Sequence, residues 1–161
     1  MPSFDVVSRT DLMEVDNAIN GAKREIRQRY DLAGSKCDLD RKDNTLTITA
    51  DDPMKLEQVK ALLRKYLTMR KVERGAFVFD NPQEASGQTV KQVVDIKQGI
   101  DDELARKITK SVKSTKIRVQ ISTKGNELKV IGKKRDDLQE IIAFIESMDN
   151  QQPLQYVNFR D

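Results

Sequence analysis

The sequence predicts an α+β protein of two similar halves, each a four-stranded antiparallel sheet with two helices on one face. Three observations carry that prediction. The order β-α-β-β-α-β can be read twice along the 161 residues. The two readings align at an offset of 82, pairing Asn44 with Asn126, Leu46 with Leu128, Ile48 with Val130, Leu56 with Leu138 and Val59 with Ile141. Only 37% of the residues are hydrophobic and 34% are charged, so a core forms only if each apolar side chain is placed on one buried face of a thin layer.

In the first half, residues 4–8 form a short β-like run, and Leu12, Val15, Ile19, Ala22 and Ile26 follow at helical spacing. Asp11 and Glu14 have the spacing of a capping box. Residues 36–40 and 45–50 alternate as strands, with Lys42-Asp43-Asn44 as the hairpin turn between them. Asp52-Pro53 supplies an N-cap and a proline at the first helical position, and Leu56, Val59, Leu62, Leu63 and Tyr66 make the second apolar stripe. Residues 76–79 close the half as a strand, with Phe77 and Phe79 read as core.

The segment 81–87 has no periodicity and reads as a linker, which divides the chain into a first half, 1–80, and a second, 88–161. There the order begins again. Residues 91–97 are strand-like, and Ile100, Leu104, Ile108 and Val112 mark a helix. Residues 116–122 alternate, Gly125-Asn126 reads as a turn, and Leu128 and Val130 mark the next strand. Leu138, Ile141, Ile142 and Ile145 mark the last helix, and 154–160 the last strand. Each half is thus the split β-α-β, ferredoxin-like unit, whose second sheet face is left open. Proteins of this topology recognise RNA on that face, although the topology hosts many other functions.

Composition narrows the chemistry. The chain has no histidine and one cysteine, Cys37. Histidine-based nucleophile systems, disulfides within the chain and multi-cysteine zinc sites are excluded. No apolar run is long enough to span a membrane, and the start has neither the basic region nor the apolar core of a signal peptide, so a cytoplasmic protein is expected. Walker and GxGxxG phosphate loops are missing, as is the glycine-containing cradle that an acylphosphatase-like site would need around Arg9. A non-enzymatic protein without metal or cofactor is expected, with no catalytic residues to name.

The charge pattern points to a binder. Net charge is +3; residues 1–87 balance at fifteen basic and fifteen acidic side chains, and the remainder carries fourteen and eleven. Between Glu103 and Glu127 no acid occurs, whereas Arg106, Lys107, Lys110, Lys113, Lys116, Arg118 and Lys124 do. On a helical wheel Arg106, Lys107, Lys110 and Lys113 oppose the Leu104, Ile108, Val112 stripe. Lys116 and Arg118 alternate with Ile117 and Val119 and are expected on the open sheet face. Lys133, Lys134 and Arg135 precede a helix whose free N–H groups favour phosphate, a preference that Asp136 and Asp137 weaken. Tyr156 and Phe159 fall in the last strand beside Arg160; one of the two rings is expected to face out and to stack a base. The candidate site is therefore Lys110, Lys113, Lys116, Arg118, Lys133, Lys134, Arg135, Tyr156, Phe159 and Arg160. The sheet residues suit a single nucleotide, and the helix lysines suit a longer RNA. A solvated basic surface and two buried rings are the alternative reading of the same residues.

Longer motifs add a resemblance. Pro2-Ser3-Phe4-Asp5-Val6-Val7-Ser8, Glu14-Val15-Asp16-Asn17-Ala18, Gln28-Arg29-Tyr30-Asp31 and Lys97-Gln98-Gly99-Ile100-Asp101, with Gly132-Lys133-Lys134-Arg135-Asp136-Asp137-Leu138-Gln139 and the ending Asn158-Phe159-Arg160-Asp161, together resemble the YajQ family of bacterial nucleotide-binding proteins along essentially the whole chain. The resemblance implies two ferredoxin-like halves that can exchange their first strands. It implies binding of nucleotides or of transfer and ribosomal RNA, with cyclic di-GMP sensing, and so a regulatory adaptor with a macromolecular partner, in some members. Two departures lie in the first half: Leu32-Ala33 replaces an aromatic-basic pair that often follows Tyr30-Asp31, and 69–79 lacks the usual Lys-Arg-Gly continuation.

Overall fold

The computed structural model describes residues 1–150 and 152–161. The elements are β1 (Ser3–Val7), α1 (Leu12–Gln28), β2 (Asp38–Lys42), β3 (Thr45–Ala50), α2 (Pro53–Met69), β4 (Phe77–Phe79), β5 (Gln83–Ala85), β6 (Thr89–Ile96), α3 (Asp102–Ser114), β7 (Val119–Lys124), β8 (Glu127–Gly132), α4 (Arg135–Ser147) and β9 (Gln155–Arg160). Two antiparallel sheets result, one ordered β7-β8-β1-β9 and the other β2-β3-β6-β4, with β5 also on β6.

The chain divides into two compact units. A split unit joins Met1–Arg9 to Gln98–Asp161, and a continuous unit holds Thr10–Lys97. Each has the strand order of the ferredoxin-like fold, but its central strand comes from the other reading of the repeat: β1 lies in the sheet of the split unit and β6 in that of the continuous unit. The segment 81–87 differs from a linker, because it contains β5 and turns sharply back to form the β5–β6 pairing from Gln83↔Lys91 to Ala85↔Thr89. This makes five strands in that sheet where four were expected. Gly87 takes φ +73 in the turn, a left-handed conformation that a glycine adopts without a Cβ penalty.

Burial follows the alternation read from the sequence. In the split unit Phe4, Val6, Leu128 and Val130 from the sheet meet Ile108, Val112, Leu138, Ile141 and Ile145 from the helices. The continuous unit buries Leu39, Leu46, Ile48, Val94 and Ile96 against Val15, Ile19, Leu56, Val59 and Leu63. Each such fully buried side chain contributes about 1.5–3 kcal/mol relative to an exposed one. Phe77 is buried as expected, whereas Phe79 stays 38% exposed and has the Lys60 ammonium 5.1 Å over its ring.

Helix starts follow a rule with one exception. Asp11 accepts the N–H groups of Met13 and Glu14, Asp52 that of Lys55 and Asp101 that of Leu104, capping α1, α2 and α3. The N-cap of α4 is Lys134, which makes no side-chain capping bond. The start of β7 also departs from expectation, coming three residues later than the alternation suggests. The Thr115 hydroxyl donates to the Val112 carbonyl and accepts from the Ile117 N–H. The Val119 N–H donates to the Ile117 carbonyl at 3.0 Å. These local bonds hold 115–118 as a turn before pairing to β8 begins.

Candidate phosphate-binding site

That turn decides where the cations go. Lys116 and Arg118 precede the paired part of β7 rather than lying within it. They line a cleft of about 470 Å³ together with Ile117, Lys133, Lys134, Asp137 and Glu140. Two basic pairs that are fifteen residues apart in sequence thus meet at the N-terminal end of α4. Among the described residues none of the four basic side chains makes a hydrogen bond or an ion pair, and all are exposed. Because Lys134 supplies no side-chain acceptor, the first N–H groups of α4 add donors and the positive end of the helix dipole. Four cations against the Asp137 and Glu140 carboxylates leave the cleft with an excess of positive charge.

The helix cations stand apart from this cleft. Arg106, Lys110 and Lys113 line a groove of about 520 Å³ along α3, with Ala105, Thr109 and the β7 residue Thr123 as its other walls. Lys107, on the same exposed side, donates to the Asp149 carbonyl at 2.9 Å. Sequence spacing singled out the lysines but gave no sign of the groove, whose far wall comes from a strand.

The last strand differs from expectation for a local reason. Between Ser3↔Arg160 and Asp5↔Val157 the register of β1 with β9 shifts by one residue, and Asn158 takes φ +58. This bulge returns Tyr156 and Phe159 to the same side of the sheet. Both rings flank Phe4: Phe159 stacks on it at 5.7 Å, and Tyr156 meets it edge-on at 6.1 Å. Tyr156 packs against the core, and burial, followed by the nearby Glu146 charge, pushes its phenol up to about 12. Phe159 remains 56% exposed with one face on Phe4. Arg160 pairs with Ser3 and projects to the side away from these rings, and Arg135 forms an ion pair with Asp161. The ten candidate residues therefore do not converge. Lys116, Arg118, Lys133 and Lys134 share one cleft, Lys110 and Lys113 a second, and the other four lie in neither.

From the sequence Asp137 is expected to weaken phosphate binding here, whereas Glu140, the second acidic wall of the cleft, is passed over. Their positions three and six residues after Lys134 on α4 are the signal that places them near it. No helix is long and apolar enough to cross a membrane among the described residues.

Fold and cleft together define a protein of two ferredoxin-like units, one of which carries a cleft rich in cations. The family described as Nucleotide-binding protein YajQ-like matches residues 2–160, and the chain belongs to that family. Its relatives include a protein of Parvibaculum lavamentivorans that is 51% identical and one of Paramagnetospirillum magneticum that is 52% identical, each over 161 residues and 100% of both chains. A third, from Rhodospirillum centenum, is 49% identical over the same full length. All three carry the name nucleotide-binding protein.

Proposed function

We propose that this chain binds nucleotide phosphates, free or within RNA, in the cleft of Lys116, Arg118, Lys133 and Lys134, and that it binds without turning the ligand over. The observation that carries the reading is the convergence of four unpaired cations on an uncapped helix N-terminus, where phosphate gains both charge and backbone donors. The cleft volume of about 470 Å³ falls within the range of small-ligand sites. The names of the relatives point the same way. A chain without histidine lacks the commonest general base, while the cations of the cleft give it a means of holding phosphate. The meeting of the two pairs favours a ligand with more than one phosphate, so RNA and dinucleotides suit it better than a nucleoside monophosphate.

A salt series tests the assignment. Single-stranded oligouridylate held by four phosphate contacts should lose affinity with a slope of about −3 in log–log form. Replacing Lys116 and Arg118 with Ala should flatten that slope by about 1.4, whereas replacing Lys60 and Lys65, which are paired with Glu57 and Glu25, should leave it unchanged. Equal slopes for all three proteins would remove the cleft from the reading. Competition by a cyclic dinucleotide and by a nucleoside triphosphate in the same assay ranks the ligand classes.

A further inference from the structure

The groove along α3 opens beside an edge strand, and the four edges of the two sheets are unequal. β2 has four charged residues out of five, Asp38, Asp40, Arg41 and Lys42. β9 is interrupted by the bulge at Asn158, and β4 and β5, which share one edge, are three residues each. Short, charged or bulged edges are the usual protections against pairing with another chain. β7 has none of them along its length: it is six residues long, keeps unbroken register with β8 from Val119↔Gly132 to Lys124↔Glu127, and carries its one charge on the last residue. Alternate N–H and C=O groups on its outer side are left without a sheet partner.

We propose that β7 and the groove beside it form a docking site for an extended acidic peptide segment, which adds to the sheet as a further strand next to β7. Charge selects the occupant. Arg106, Lys110 and Lys113 line the groove with one acid, Asp102, at its end, and none of the three cations has an ion-pair partner among the described residues. Along the helix axis Arg106 and Lys110 are about 6 Å apart. Same-face side chains of a strand repeat at about 6.7 Å, so two residues spaced by two in an added strand come opposite Arg106 and Lys110. Ala105, Thr109 and Thr123 leave a small-residue floor on which the strand can lie. A second copy pairing through β7 would bring the same three cations face to face, which disfavours self-association. A nucleic-acid backbone lacks the strand-like alternation of donors and acceptors that the free edge presents, whereas a peptide matches it in turn. The site is separate from the phosphate cleft and stands or falls independently of it.

The test uses the full chain with three labelled probes: an octapeptide alternating Glu and Val, its Lys-Val counterpart, and oligouridylate. Anisotropy should show binding of the acidic peptide and none of the basic one. Amide exchange should slow at alternate positions of β7 when the acidic peptide is present. The double replacement Lys110→Glu with Lys113→Glu, both exposed, should weaken the acidic peptide at least tenfold, and Lys116→Ala with Arg118→Ala should not. Binding of the basic peptide with equal affinity overturns the proposal, as does acidic-peptide binding that leaves β7 exchange unchanged. Protection of β7 by oligouridylate with the acidic peptide inert assigns the groove to nucleic acid and overturns it as well. Loss of oligouridylate binding in the Lys116 and Arg118 variant concerns only the phosphate cleft.

Discussion

The two units share a fold and differ in how many of their cations are paired. In the continuous unit six of the sixteen cations have an ion pair among the described residues: Arg41 with Asp16, Arg29 with Asp31, Lys65 with Glu25, Lys60 with Glu57, Lys23 with Asp38 and Arg70 with Glu14. In the split unit only Arg9 with Glu127 and Arg135 with Asp161 pair among the described residues. Totals do not explain the contrast, since the split unit carries thirteen basic and eleven acidic side chains and the continuous unit sixteen and fifteen. Local arrangement does. The stretch from Leu104 to Asn126 offers its cations no neighbouring acid, whereas acids in α1 and β2 of the other unit stand within reach of theirs. Exposed pairs contribute little to stability, about 0–1 kcal/mol each, so the pairing matters chiefly because it leaves a smaller share of unpaired cations in the continuous unit than in the split one.

The contrast can be broken most strongly through packing. In the continuous unit α1 approaches α2 at Gly21, where a Cβ would lie 2.5 Å from the Tyr66 ring, and that ring is anchored by its hydroxyl donating to Glu25 at 2.9 Å. Gly21→Ala should lower stability in urea, because overpacking of about 1–3 kcal/mol outweighs the gain of roughly 1 kcal/mol in helix propensity. Nucleotide affinity should stay the same if binding resides in the split unit. A more stable variant would show that the ring swings aside freely.

A smaller effect of opposite sign is expected at Lys134. Lys134→Asp gives α4 the cap that the other three helices have, worth about 1 kcal/mol, while replacing a cation of the cleft with an anion. The melting temperature should rise and oligouridylate affinity fall. If both rise together, α4 does not face the ligand.

The smallest effect is electrostatic. Hydrogen bonding from Arg41 holds the Asp16 carboxyl below its usual value, and bonds from Lys65 and then Tyr66 do the same for Glu25. Stabilisation from these lowered groups is present above the ordinary carboxylate range near pH 4 and is lost as pH falls through the lowered folded values. Amide protection in the continuous unit should therefore decline as pH falls below about 4, and Asp16→Asn should make that decline shallower. An unchanged acid limb in this variant would show that the Arg41 pair is too solvated to matter.

Much of this was legible in the residues. The offset repeat, the apolar stripes and the aspartate caps are local patterns, and they marked both helix pairs and all of the longer strands. The cation-rich, acid-free stretch was equally plain. Placement of the side chains was not. Lys116 and Arg118 alternate with apolar residues as a strand would, but the Thr115 turn delays β7 and carries them to Lys133 and Lys134 instead. Tyr156 and Phe159 are three apart, which puts them on opposite faces of a regular strand. One bulged residue, Asn158, cancels that parity.

By itself the sequence determined the element types, the two-fold repetition and the sign of the exposed charge, because periodicity and composition act over a few residues. Tertiary structure alone decided which strand completes which sheet, which cations share a cleft and which strand edge is left open. Those outcomes depend on pairing between distant segments, on β1 entering between β8 and β9 and on β6 between β3 and β4, and no local pattern specifies that choice.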